Sequence, residues 1–237
     1  MACAARFAST GALVILGAGC PDPNVYATAR TTPVGRVSHT IAVQTASYRF
    51  DNTKEIDGVR DANTTPLPPT YQLRVGVLDR LDIGLRFTHV SSLGMDVKWN
   101  FLETEVLDIA VDPGIQLGVV DACAIDDDSI GQLFSNVPVI FDLNVTDWLS
   151  IVPTTGIAYG CGARARLFAN SPSLPDHVKG LMLRNGLGLE VRVSPMFGLH
   201  PEVTYLSFVG SSSDPGISWV VYGLGFNFGA LPQWAGN

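Results

Sequence analysis

Thirteen chemistry-bearing side chains fall on one phase of a period-two pattern: Arg74, Asp82, Arg86, Asp96, Lys98, Asp108, Asp112, Asp142, Arg184, Glu190, Arg192, His200 and Glu202. Acids and bases are interleaved along the chain. On neighbouring strands that arrangement forms ion pairs filling a narrow interior, or it lines a polar pore or binding site. Groups able to do acid–base or nucleophilic work lie elsewhere, in the segments between strand patterns: His89, Asp126, Asp127, Asp128, Asp176 and His177. A general base needs a partner within hydrogen-bond reach, and no spacing here supplies one, so no catalytic residue is assigned. The run Asp126-Asp127-Asp128 lacks the glycine and terminal glutamate of a standard calcium loop and reads as a solvated acidic loop. No metal and no cofactor is expected, since CxxC spacing and glycine-rich phosphate-binding motifs are absent.

The elements that must position these charges are strands. Val37, Ile41 and Val43 alternate with small and polar residues, and His39 shares their apolar phase. Tyr71, Leu73, Val75 and Val77 alternate with Gln72, Arg74 and Gly76; Leu81, Ile83, Leu85 and Phe87 alternate with Asp82, Gly84 and Arg86. Met95, Val97, Trp99 and Phe101 face away from Asp96, Lys98 and Asn100, and a fifth segment keeps its phase from Leu107 to Val119. Five further segments follow near 133–145, 148–161, 180–193, 197–209 and 217–229; Pro153 interrupts the seventh segment of the series. Strict alternation over such lengths is the strand signal, and the count is about ten, with eight to twelve as the range.

Which face looks inward decides the environment. The apolar face is bulky and continuous, whereas the other mixes Gly and Ala with full charges. A soluble barrel would turn its charged face to water, and this face holds too much Gly and Ala for an ordinary solvated surface. Inverting the barrel places the apolar face against lipid and the small and charged residues in the lumen. Several segments also reach the ten or so residues that a tilted membrane-spanning strand needs. Short turns alternate with longer connections, and Phe101, Trp148, Phe197, Phe228, Tyr71, Phe87, Tyr159 and Trp219 fall near strand ends, where aromatic belts are expected. The expected fold is therefore all-β, an antiparallel up-and-down transmembrane β-barrel.

Composition excludes several alternatives. The formal net charge of -7 argues against nucleic acid. With 16% charged residues and a positive mean hydropathy, the chain is too apolar for disorder. No run of about 18 apolar residues follows the N-terminus, so helical spans are not expected.

Residues 1–20 resemble a secretory signal peptide: Arg6, the apolar stretch Phe7 to Leu16, then Gly17-Ala18-Gly19-Cys20. Ending on cysteine, the segment also resembles a lipoprotein signal, making Cys20 a lipidation candidate, although Gly17 stands where that motif prefers Leu. Residues 21–35 read as a Pro-rich periplasmic linker, 36–229 as the barrel and 230–237 as a C-terminal tail. Export permits a disulfide between Cys123 and Cys161.

Over residues 36–229 the chain resembles the small bacterial outer-membrane β-barrel proteins. The hairpins at Val77-Leu78-Asp79-Arg80-Leu81-Asp82-Ile83-Gly84 and Asn144-Val145-Thr146-Asp147-Trp148-Leu149 carry the resemblance, as does the terminal Gly225-Phe226-Asn227-Phe228. That last strand resembles the aromatic-ended strand such proteins present to their barrel-assembly machinery; the residues after it depart from the pattern. The resemblance implies a bacterial outer-membrane location, outer-membrane lipid as surroundings, and a structural, surface-interaction or narrow-channel (porin-like) role. Two other readings stay open: a rim-sited outer-membrane hydrolase, and a soluble lipid-anchored periplasmic β-barrel binding an apolar ligand. The alternation names no ligand, because many activities share this architecture.

Overall fold

In the computed structural model, residues 22–50, 65–89, 92–121, 129–165, 177–209 and 217–232 are described. They form eleven strands: β1 (Val37–Phe50), β2 (Thr65–Leu78), β3 (Leu81–His89), β4 (Ser92–Leu102), β5 (Leu107–Val111), β6 (Gly114–Asp121), β7 (Ser129–Thr146), β8 (Leu149–Ala165), β9 (His177–Ser194), β10 (Phe197–Phe208) and β11 (Ile217–Gly229). Their pairings are all antiparallel and, apart from β4–β6 and β5–β7, join neighbours in sequence, and β1 pairs with β11 from Ser38↔Gly229 to Phe50↔Ile217, which closes the sheet.

β5 and β6 are two halves of one wall, since both lie between β4 and β7. The barrel thus has ten walls. The break falls at Asp112-Pro113, where proline has no N–H for the ladder. Asp112 donates its N–H to the Pro138 carbonyl at 3.0 Å, and the inside-outside phase continues across the break.

Alternation in sequence becomes alternation in burial. β4 reads buried and exposed by turns, from Ser92 inward and Leu93 outward to Asn100 inward and Phe101 outward. Exposed positions carry Leu, Val, Met and aromatic side chains, with Met95 at 53% and Trp99 at 54% exposure. Buried positions carry Asp82, Asp96, Lys98 and Arg184. A closed barrel with an apolar outside and a charged inside is the inverse of a water-soluble one, and among the described strands it leaves no open edge. Trp219 departs from its expected place in an outer aromatic belt: it is 7% exposed and lies on the inner phase of β11 with Val221.

Short turns join β2–β3, β4–β5, β7–β8 and β9–β10 at the end that also holds Val37 and Gly229. The strands are uneven. β7, β8 and β9 have 18, 17 and 18 residues, against 9 in β3. A tilted strand crosses the hydrocarbon in about 9–11 residues, so the wall around β8 extends beyond that depth.

Candidate functional site: a barrel lumen filled by the N-terminal segment

The lumen holds a segment of the chain's own backbone. Residues 22–33, expected as a linker outside the barrel, instead run inside it, and Asp22, Asn24, Val25, Tyr26, Thr28, Ala29, Arg30 and Thr32 are all buried. Pro23 and Pro33 and the left-handed φ of 51° at Tyr26 keep this segment out of any regular ladder. Irregular backbone is tolerated at membrane depth only where protein satisfies its amides and carbonyls.

The wall charges do that work. Glu202 accepts from the N–H groups of Val25 (2.9 Å) and Tyr26 (2.7 Å), Asp142 from Ala29 (3.3 Å) and Asp82 from Thr32 (2.9 Å). The cations take the carbonyls: Arg86 donates to Asn24 at 2.6 Å, Arg184 to Pro23 at 2.8 Å and Lys98 to Thr28 at 3.1 Å. Gln116 holds Asp22 through both its N–H and its carbonyl, and Asn100 donates to the Ala29 carbonyl. The interleaved acids and bases thus meet both the donors and the acceptors of a peptide backbone.

Side chains of the segment lock into the wall as well. Arg30 pairs with Asp108 at 2.6 Å and donates to the Thr104 carbonyl at 3.0 Å. Tyr26 donates its hydroxyl to Gln44 at 2.9 Å, and its ring lies over Gly223 and Gly225, where a Cβ would overlap it. Val25 and Ala29 pack with Ala110, Ile140 and Val152 of the wall. At the short-turn end, Gly35 donates to the Gly76 carbonyl at 2.9 Å, and a Cβ on Gly76 would meet the carbonyls of Thr32 and Pro33.

Direct ion pairing within the wall centres on Arg74. Its guanidinium reaches Asp82 at 2.5 Å, Asp96 at 2.6 Å and Asp112 at 2.6 Å, and Lys98 adds a contact to Asp82 at 3.3 Å. Arg184 meets Glu202 at 3.2 Å, and His200 meets Glu190 at 2.9 Å. Asp82 and Lys98 are in direct cross-strand register, the arrangement expected of a wall network. Asp108 and Asp142 are also in direct register, which sets two carboxylates opposite each other. Arg30 and the Ala29 N–H, both from the internal segment, meet that pair, and Asn144 and the Thr104 N–H also donate to Asp108.

Of the thirteen charges read from the sequence, Arg74, Asp82, Arg86, Asp96, Lys98, Asp108, Asp112, Asp142, Arg184, Glu190, His200 and Glu202 are buried in the interior, and Arg192 is half-buried. Arg192 donates to the Pro232 carbonyl, and Leu231 is buried, so residues 230–232 fold under the short-turn end. Alternation could not reveal Asp22, Tyr26, Arg30 or Thr32, because their segment has no period. The signal that could have found them is the Asp108–Asp142 register, which calls for a cation from outside the strands.

Toward the long-connection end the filling changes character. Phe134, Met182, Leu206, Trp219 and Val221 meet Ala46, Leu67 and Ala158 in one buried apolar cluster, with Phe208 packed against it. Two gaps beside the internal segment hold about 10 and 30 Å3, room for single waters rather than for a solute path.

Asp126, Asp127, Asp128, Asp176, Cys20 and Cys123 lie outside the described residues, as do the side chains of His89 and His177. Cys161 sits half-buried in β8, opposite Leu133 and Lys179. Among the described residues no cluster of His, Cys, Asp and Glu could hold a metal ion.

No protein-family model and no curated protein matches this sequence. Solved structures do. An outer membrane channel from Pseudomonas putida F1 aligns at 9% identity over 89% of this chain and 100% of its own, with a TM-score of 0.55. The attachment invasion locus protein Ail of Yersinia pestis aligns at 13% identity over 83% and 99% of the two chains, with a TM-score of 0.39. The outer membrane protease OmpT of Escherichia coli aligns at 9% identity over 84% and 97%, with a TM-score of 0.41. At such identities the likeness is one of fold. Closed antiparallel strands, an apolar exterior and a charged interior make this chain a β-barrel of the bacterial outer-membrane type.

Proposed function

We propose that the protein is a self-plugged barrel of the bacterial outer membrane, with a structural or surface-interaction role rather than that of a standing open pore or an enzyme. The observation that carries this reading is the set of hydrogen bonds from Glu202, Asp142, Asp82, Arg86, Arg184 and Lys98 to the backbone of residues 22–33. These bonds consume the lumen charges that would otherwise line a water path. The long wall of β7, β8 and β9 offers the surface beyond the membrane. Purified protein in planar bilayers is expected to show no sustained conductance; a large steady current through the intact chain would sink the reading.

The fold likeness to the Pseudomonas putida channel favours a second reading, a channel that conducts when the segment leaves. Brief openings that become more frequent in Glu202→Gln would support it. Residues 1–20 are proposed as the export signal, removed without lipid on Cys20. Asp22 is bonded to Thr70 and Gln116 inside the wall, and two residues reach at most about 7 Å. An acyl chain on Cys20 would need to pass a barrel end to meet lipid. Intact mass of the mature chain decides this: an added diacylglyceryl mass overturns it.

A further inference from the structure

We propose that the lumen is a peptide-binding site, selective for a segment with an aromatic residue followed four positions later by a basic one, and that residues 22–33 are its resident ligand. This rests on the self-plugged reading but claims more: recognition independent of the covalent link to β1.

Most wall-to-segment bonds go to main-chain groups. Glu202 reads two successive N–H groups, and Arg184 and Arg86 read the carbonyls of Pro23 and Asn24 just before them. Such contacts fix the position and direction of any peptide, whatever its side chains. Bonds to charged partners are also the stronger class.

Two places in the wall are shaped for particular side chains. Gly223 and Gly225 leave a slot filled by the Tyr26 ring, with Gln44 accepting from the phenol at its end. Asp108, with the Thr104 carbonyl, receives the Arg30 guanidinium, and the Asp142 side chain faces that corner from β7. An aromatic slot and a guanidinium acceptor spaced along a backbone-reading channel are the parts of a peptide site. Among the described residues the segment joins the barrel covalently through the exposed stretch Val34-Gly35-Arg36.

That exposure makes the test direct. A protease recognition sequence is inserted between Gly35 and Arg36 in the full-length chain, which is folded into detergent and then cut. The severed segment is expected to co-migrate with the barrel in gel filtration and to be displaced by excess synthetic peptide of residues 22–35. A fluorescent form of that peptide should bind the emptied barrel and silence its conductance, whereas a scrambled peptide should do neither. Peptides with Tyr26→Gly or Arg30→Ala should bind about tenfold more weakly or worse, as should one N-methylated at Val25 and Tyr26. A companion chain carrying Gly and Ser in place of residues 22–32 supplies an empty lumen without cleavage. If the cut segment is lost and the peptide binds neither barrel, the inference falls while the self-plugged reading stands. If the intact chain conducts before cleavage, it is the plugged reading that fails. Equal binding of the scrambled peptide overturns the claimed selectivity.

Discussion

The two ends of the lumen are filled by different means. Toward the short-turn end, charged wall residues hold an irregular backbone segment; toward the long-connection end, Phe134, Met182, Leu206 and Trp219 meet one another as an ordinary apolar core. The apolar end needs only volume, so its packing is a property of the wall itself. The polar end needs donors and acceptors in matched positions, so its closure belongs to a separable ligand. The same barrel thus carries one filling built from its wall and one that is separable from it.

Mutations separate the two. Arg74→Ala should have the largest effect, because it leaves Asp82, Asp96 and Asp112 buried together without their shared guanidinium. A loss of about 3–5 kcal/mol is expected in urea unfolding from lipid vesicles. A loss below about 1 kcal/mol would show that water reaches this cluster. Phe134→Ala should cost about 3 kcal/mol or somewhat more in the same titration. Its effect on the internal segment should be absent, so the bilayer stays silent; new current there would break the division between the two ends. Glu202→Gln removes the charge that holds Val25, Tyr26 and Arg184. It should cost about 1.5–3 kcal/mol, sharpening the claim that segment and stability are coupled at the polar end. Arg80→Ala marks the lower bound, since the Arg80–Glu103 pair spans 3.7 Å in solvent at a turn. Its unfolding midpoint should shift by less than about 0.5 kcal/mol in equivalent energy.

How legible these features are in the sequence follows from their periodicity. Met95-Asp96-Val97-Lys98-Trp99 declares a strand, its two faces and its inverted environment in five residues. The β5–β6 break also leaves a trace, in Pro113, although the phase runs on through it. Trp219 shows where bulk misleads: its odd position matches Val221 and Gly223 on the inner phase, but its size suggests a membrane belt. Residues 22–33 are opaque for a deeper reason. Their partners are scattered along the chain, from Gln44 to Glu202, and no local pattern encodes contacts made to backbone amides. What the segment does show is a content of Val25, Tyr26, Ala27 and Ala29 that is apolar for a solvated tether.

The seam between β1 and β11 gives the internal segment a place in the order of assembly. It leads straight into β1, while β11 comes last in the chain, so the final pairing joins the two extremes of the sequence around a space that must already be occupied or be threaded afterwards. Bringing such distant strands together is the slow, entropically costly step of a barrel. A segment bound to Glu202 and Asp142 before that step would draw β7 and β10 toward β1, acting as a mandrel on which the sheet rolls shut. The lumen contents then set the rate of closure as well as the permeability of what is closed.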